Sequence, residues 1–112
     1  MRAGLLLSLF SASLHCATCD SQIRVTDPTG ASTQGAQIIF SSPAAGKANV
    51  ITQGKTNAQG VFRATLESGT VHLEVARAGF RRYETDLVIR CRKDEPVRLP
   101  VRLELGLRQG DY

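Results

Sequence analysis

Side chains able to do chemistry are few in this 112-residue chain, and their spacing argues against a reaction centre. Nucleophilic hydrolysis needs a nucleophile, a base and an orienting group within hydrogen-bond reach. The chain has two histidines, and one of them, His15, falls in a leader-like segment. The other, His72, alternates with the apolar Val71 and Leu73, so on a strand it faces solvent. Asp27, Glu74 and Asp86 read the same way, as charged outer positions and not as an acid and base pair. Zinc needs several converging His or Cys ligands and calcium needs clustered carboxylates, whereas the acidic residues here are scattered. Cys16-Ala-Thr-Cys19 copies the spacing of a redox or zinc pair, but no second pair accompanies it. No glycine-rich loop follows a strand and opens a helix, which removes the usual phosphate cradle. The expectation is therefore no catalytic residue, no metal ligand and no cofactor.

The beginning of the chain speaks for export. Met1-Arg2-Ala3-Gly4 carries one positive charge, and Leu5 to Leu14 is a short apolar run followed by small residues, the pattern of a secretory signal. The run is shorter than the ~20 apolar residues of a membrane span. Small residues at Ala17-Thr18-Cys19 favour cleavage before Asp20, with cuts after Cys16 or Ala17 as alternatives. The division is then a leader at 1–19, a domain at 20–108 and a tail at 109–112. A lipid anchor on Cys16 is disfavoured by His15, because the residue before a lipidated cysteine is normally small. If Cys19 stays, a bridge to Cys91 would tie the first strand to a late one. If it leaves, Cys91 is an odd thiol, either buried or free to pair with another molecule.

The net charge is +4, unevenly placed. Arg81, Arg82, Arg90, Arg98 and Arg102 lie in one stretch and make a candidate binding face for an acidic protein or an anionic surface polymer. The same arginines also read as the solvated sides of strands that need charge to stay soluble. Nucleic acid is excluded as a partner, since no stacking aromatics interleave with the basic residues and the leader directs the chain elsewhere. The chain has no tryptophan, leaving Tyr83 and Tyr112 as the candidates for a sugar platform.

All these residues sit on a chain patterned for strands. Gln22–Asp27 alternates and ends at the turn Pro28-Thr29-Gly30; Ala36–Phe40 and Ala48–Gln53 follow, separated by the loop-like Ser41–Lys47. Asn57 and Gly60 suit a turn in which Asn bonds its own backbone and Gly takes a positive φ. Phe62, Ala64 and Leu66 then share one face, and Val71, Leu73 and Val75 the next, with Glu67–Thr70 read as a hairpin reversal. Gly79 before Phe80 marks a bend that turns the ring inward. Tyr83, Thr85, Leu87, Ile89 and Cys91 line the inner face of a sixth strand, ended by the charged reversal Arg92–Glu95. Alternation from Val97 to Leu107 gives a seventh, in which Pro100 donates no ladder hydrogen bond and so demands an edge, a bulge or a break. With no helical period after the leader, the pattern predicts an all-β, antiparallel Greek-key sandwich of about seven strands.

Val25-Thr26-Asp27-Pro28-Thr29-Gly30-Ala31, Gly35-Ala36, Thr56 to Phe62, Leu66 to Val75 and Gly79-Phe80, in that order and spacing, resemble the carboxypeptidase regulatory-like domain. Asn57 and Val71 stand where that family commonly has Asp and Tyr. The resemblance implies a transthyretin-like sandwich of about seven strands and an accessory module of exported or surface proteins, and it transfers no catalytic residues. The reading is an exported, non-catalytic structural or binding module of the cell surface or periplasm. A carbohydrate-binding module is the alternative. A small transthyretin-like hydrolase of cyclic ureides would need a His and Arg cluster and a characteristic tail that the chain lacks.

Overall fold

Alternating side chains make strands throughout the computed structural model, which describes residues 17–43 and 49–106. In chain order they are β1 (Thr18–Thr26), β2 (Gln37–Ser42), β3 (Asn49–Lys55), β4 (Val61–Glu67), β5 (Gly69–Ala76), β6 (Tyr83–Ile89) and β7 (Val97–Arg102). They form a three-stranded sheet, β4-β1-β7, and a four-stranded sheet, β3-β2-β5-β6. Ile23, Val25, Leu66, Val101 and Leu103 from the first side meet Ile38, Phe40, Val71, Leu73, Val75 and Ile89 from the second in one buried cluster. Among the described residues no helix is long and apolar enough to cross a membrane.

Three details depart from the sequence reading. The strands β4 and β5 do not form a hairpin: β4 pairs with β1 and β5 with β2 and β6, so Ser68 carries the chain from one sheet to the other. The apolar faces of the two strands then look at each other across the core instead of lying side by side, which buries both at once. The second departure is that β7 lies parallel to β1, Ile23 opposite Leu99, while the other strand pairs are antiparallel. The third is that β7 stops at Arg102; Leu103 is still buried, but Leu105 is 55% exposed and only bridges to Phe80. Pro100 is accommodated because β7 is an edge strand. The expected loop at Ser41–Lys47 begins later than predicted, since Ser41 and Ser42 belong to β2 after a bulge at Phe40/Ser41; its part from 44 to 47 lies outside the described residues, as do Ala48, Leu107, Tyr112 and the expected leader through residue 16.

The expected boundary between residues 19 and 20 falls inside β1, and Cys19 is joined to Cys91, which follows β6, with Cα atoms 5.4 Å apart. The bridge ties the two sheets at one end. Closing a loop across 72 residues removes conformational freedom from the unfolded chain, worth about 4 kcal/mol in the chain-entropy account.

Turns lock the opposite end. Asn57 Oδ1 accepts from the backbone N–H of Gln59 and Val61, and Gly60 takes φ 76°, as the Asn-to-Gly spacing predicts. A Cβ on Gly60 would lie 2.6 Å from the Val25 carbonyl oxygen, so the close approach also demands glycine. The buried Thr56 hydroxyl accepts from Ala36 N–H at 2.9 Å and donates to the Thr33 carbonyl at 2.7 Å, satisfying both groups away from water. Asp27 caps the first turn, accepting from Thr29 N–H and Oγ1 and from Ala31 N–H, which holds its carboxyl below the usual range.

The sides of the sandwich are closed by aromatic rings. Gly79, at φ 92°, turns the chain so that Phe80 packs on the core beside the end of β7. On the other side the Phe62 ring of β4 lies over Gly54 of β3, where any Cβ would collide with it. Gly54→Ala must push the ring out, and we expect a loss of about 1–3 kcal/mol in chemical denaturation. In a Phe62→Ala background most of that loss should vanish, because the obstructing partner is gone.

Candidate functional site

On the outer face of the four-stranded sheet, β5 and β6 bring four titratable side chains together. Residues two apart on a strand share a face, so His72 and Glu74 project from β5 and Glu84 and Asp86 from β6. The register sets His72 directly opposite Asp86 and Glu74 opposite Glu84. His72 Nδ1 lies 2.7 Å from Asp86 Oδ1 and Nε2 lies 3.3 Å from Glu84 Oε1. Glu74 is held from its other side by Arg82, Nε to Oε2 3.4 Å. One ligand-capable atom from each of His72, Glu74 and Glu84 falls within 4.8 Å of the others. His72 does face outward as its alternation implies, but the acidic residues are not scattered in space: antiparallel pairing gathers Glu74, Glu84 and Asp86 around it. The signal was present in the outward positions 72, 74, 84 and 86, yet only the register makes neighbours of them.

The hydrogen bond that His72 donates to Asp86 chiefly raises the His72 pKa, with Glu84 adding to it and desolvation opposing. The protonated imidazole donates from both nitrogens, which strengthens both contacts. Three carboxylates against one guanidinium leave the square negative on a chain of net charge +4.

The arginines singled out by sequence are all exposed, and they divide between the two sheets. Arg81, Arg82 and Arg90 flank β6, and Arg98 and Arg102 belong to β7. Hydrogen bonds from Arg81 N–H to the Glu104 carbonyl and from Gly106 N–H to the Gly79 carbonyl bring the start of β6 beside the end of β7. The basic residues thus lie along two neighbouring edge strands of different sheets and not on one sheet face. Two of them have local partners: Arg82 pairs with Glu74, and Arg102 donates to the Pro28 carbonyl at 2.6 Å. Tyr83 turns inward and packs against the core, partly buried.

A groove of about 630 Å³ runs past the disulfide and is lined by Cys19, Asp20, Thr65, Cys91 and the Arg92–Pro96 turn. A second, of about 610 Å³, lies at the β4–β5 crossing beside Ile51, Leu66 and Ser68. Neither contains His72; in the first, the Thr65 hydroxyl donates to Asp20 Oδ1 at 3.5 Å.

His72 should titrate by NMR with a midpoint above the ordinary value near 6.5, and Asp86→Asn should bring it down. Because the folded-state pKa is raised, the stabilisation from protonation is complete below the unfolded value and disappears as pH rises through the folded one. The stability difference between wild type and His72→Gln should therefore shrink as pH rises through the NMR midpoint.

The fold recurs in solved structures of low sequence identity. The streptococcal ancillary pilin superposes with a TM-score of 0.66 at 19% identity, over 83% of this chain and 31% of that one. The Bacillus anthracis TIE protein gives 0.63 at 17% identity over 79% of this chain and 17% of that one. Catechol 1,2-dioxygenase from Pseudomonas arvilla C-1 gives 0.65 at 13% identity over 86% and 55%. The chain thus spans little more than half of the longest-matched of these three and less than a third of the others, and the likeness is one of fold. No curated protein sequence matches it. A family model does match, over residues 22–104, from within β1 to beyond β7, and on that match the chain belongs to the carboxypeptidase regulatory-like domain family.

Proposed function

We propose that this chain works as an exported, non-catalytic β-sandwich module with a binding or structural role at the cell surface or in the periplasm. The observation that carries the reading is the Cys19–Cys91 bridge between the sheets. Structural disulfides persist in oxidising compartments, which agrees with the leader-like first residues. The pilin neighbour supports a surface role, and the matching family is described as regulatory-like. Retention of Cys19 in β1 favours leader cleavage after Cys16 or Ala17 over cleavage before Asp20. The partner is an acidic protein or an anionic surface polymer, met by Arg81, Arg82, Arg90, Arg98 and Arg102 along the β6–β7 side, where field strength and salt screening govern attraction. The carbohydrate reading loses ground because Tyr83 is turned into the core.

Intact-mass analysis of the exported protein should find an N-terminus that retains Cys19 and a Cys91 that resists alkylation until reduced. A chain beginning at Asp20 with a freely alkylated Cys91 would refute the reading of the bridge. The basic side predicts retention on an immobilised polyanion that weakens steadily with salt and drops sharply in Arg98→Glu/Arg102→Glu. Failure to bind at low ionic strength would discard that surface.

A further inference from the structure

We propose that His72, Glu74 and Glu84 form a binding site for a divalent transition-metal ion such as zinc on the outer face of the β5–β6 pair. The site meets the basic β6–β7 side at Arg82 and does not depend on the role given to that side. Three features of the arrangement carry it. The ligand atoms lie within 4.8 Å of one another, so a central ion requires each to move by less than ~1 Å to reach the 2.0–2.2 Å of zinc bonds. His72 and Glu84 are partly open to solvent, which leaves their side chains free to make that movement and leaves room for water to complete a tetrahedron. The imidazole is also already oriented. Asp86 accepts from Nδ1 at 2.7 Å, which leaves the Nε2 lone pair directed toward Glu84 in the neutral ring. A carboxylate behind a ligating histidine fixes its tautomer and raises its basicity. Asp86 is thus a positioning residue and not a ligand.

The ligand set also selects the ion. One imidazole nitrogen with two carboxylates suits zinc, manganese, cobalt or nickel, whereas calcium and magnesium prefer oxygen alone. Competition comes from two cations. A proton holds Nε2 in the ion pair with Glu84, and Arg82 holds Glu74. On the other flank β2 sets Ser41 opposite His72 and Ile39 opposite Glu74, so no further charged group faces the site from that strand. A bound ion would pin β6, an edge strand, to β5 through side chains as well as through the backbone ladder.

The test is calorimetric titration of the metal-stripped full chain with zinc at neutral and acidic pH, with the His72 ring resonances followed by NMR. One equivalent should bind at neutral pH, shift those resonances, raise Tm and lose affinity as the pH falls. Because His15 and Cys16 can themselves take zinc, the variants decide. His72→Ala and Glu84→Gln should abolish the sheet-face binding, Asp86→Asn should weaken it about 10-fold, and Arg82→Gln should strengthen it by releasing Glu74. Far-ultraviolet circular dichroism establishes that each variant is folded. Zinc binding that is unchanged in folded His72→Ala, His72 resonances that do not respond, or calcium bound as tightly as zinc would each overturn the proposal.

Discussion

The fold depends on burying Ile23 and Val25, which have no solvent exposure because β1 runs between β4 and β7 and faces the larger sheet. A single interior shared by two thin sheets works only if the middle strand of the smaller one stays in register, since a slip of one residue would turn both side chains outward. The structure pins that strand at both ends. Cys19 is bonded to Cys91, and at the far end Val25 N–H donates to the Gly60 carbonyl, Thr33 N–H donates to the Val25 carbonyl and Leu103 N–H donates to the Thr26 carbonyl. The turn around Thr56 and Asn57 is therefore part of what holds β1, although it belongs to the connection between β3 and β4.

Much of this was legible in the sequence because alternation reports which face a residue occupies. The inward residues of β1, β5 and β6, the Asn57–Gly60 turn and the bend at Gly79 all follow from local chemistry, whereas Pro100 left an edge, a bulge or a break open until the pairing of β7 made it an edge. Alternation says nothing about which strand lies alongside. Ser68-Gly69 reads equally well as a hairpin turn or as a crossing between sheets, and only the gain from facing Leu66 toward Leu73 across the interior decides. The parallel placement of β7 is long-range for the same reason. So is the gathering of Glu84 and Asp86 around His72, which depends on a register set by the segment between β5 and β6.

Charge is sorted by position on the sandwich. Five exposed arginines lie in or beside β6 and β7, and the acidic square sits on the outer face of β5 and β6, where Arg82 pairs with Glu74. Such solvent-facing pairs contribute little to stability and weaken with salt.

The parallel alignment of β1 and β7 also has a mechanical meaning. The chain enters β1 at the pole that carries the disulfide and leaves β7 at the opposite pole, beside Thr26 and Arg102. Tension drawn between those poles loads the β1–β7 ladder in shear, so its hydrogen bonds resist together instead of unzipping one after another.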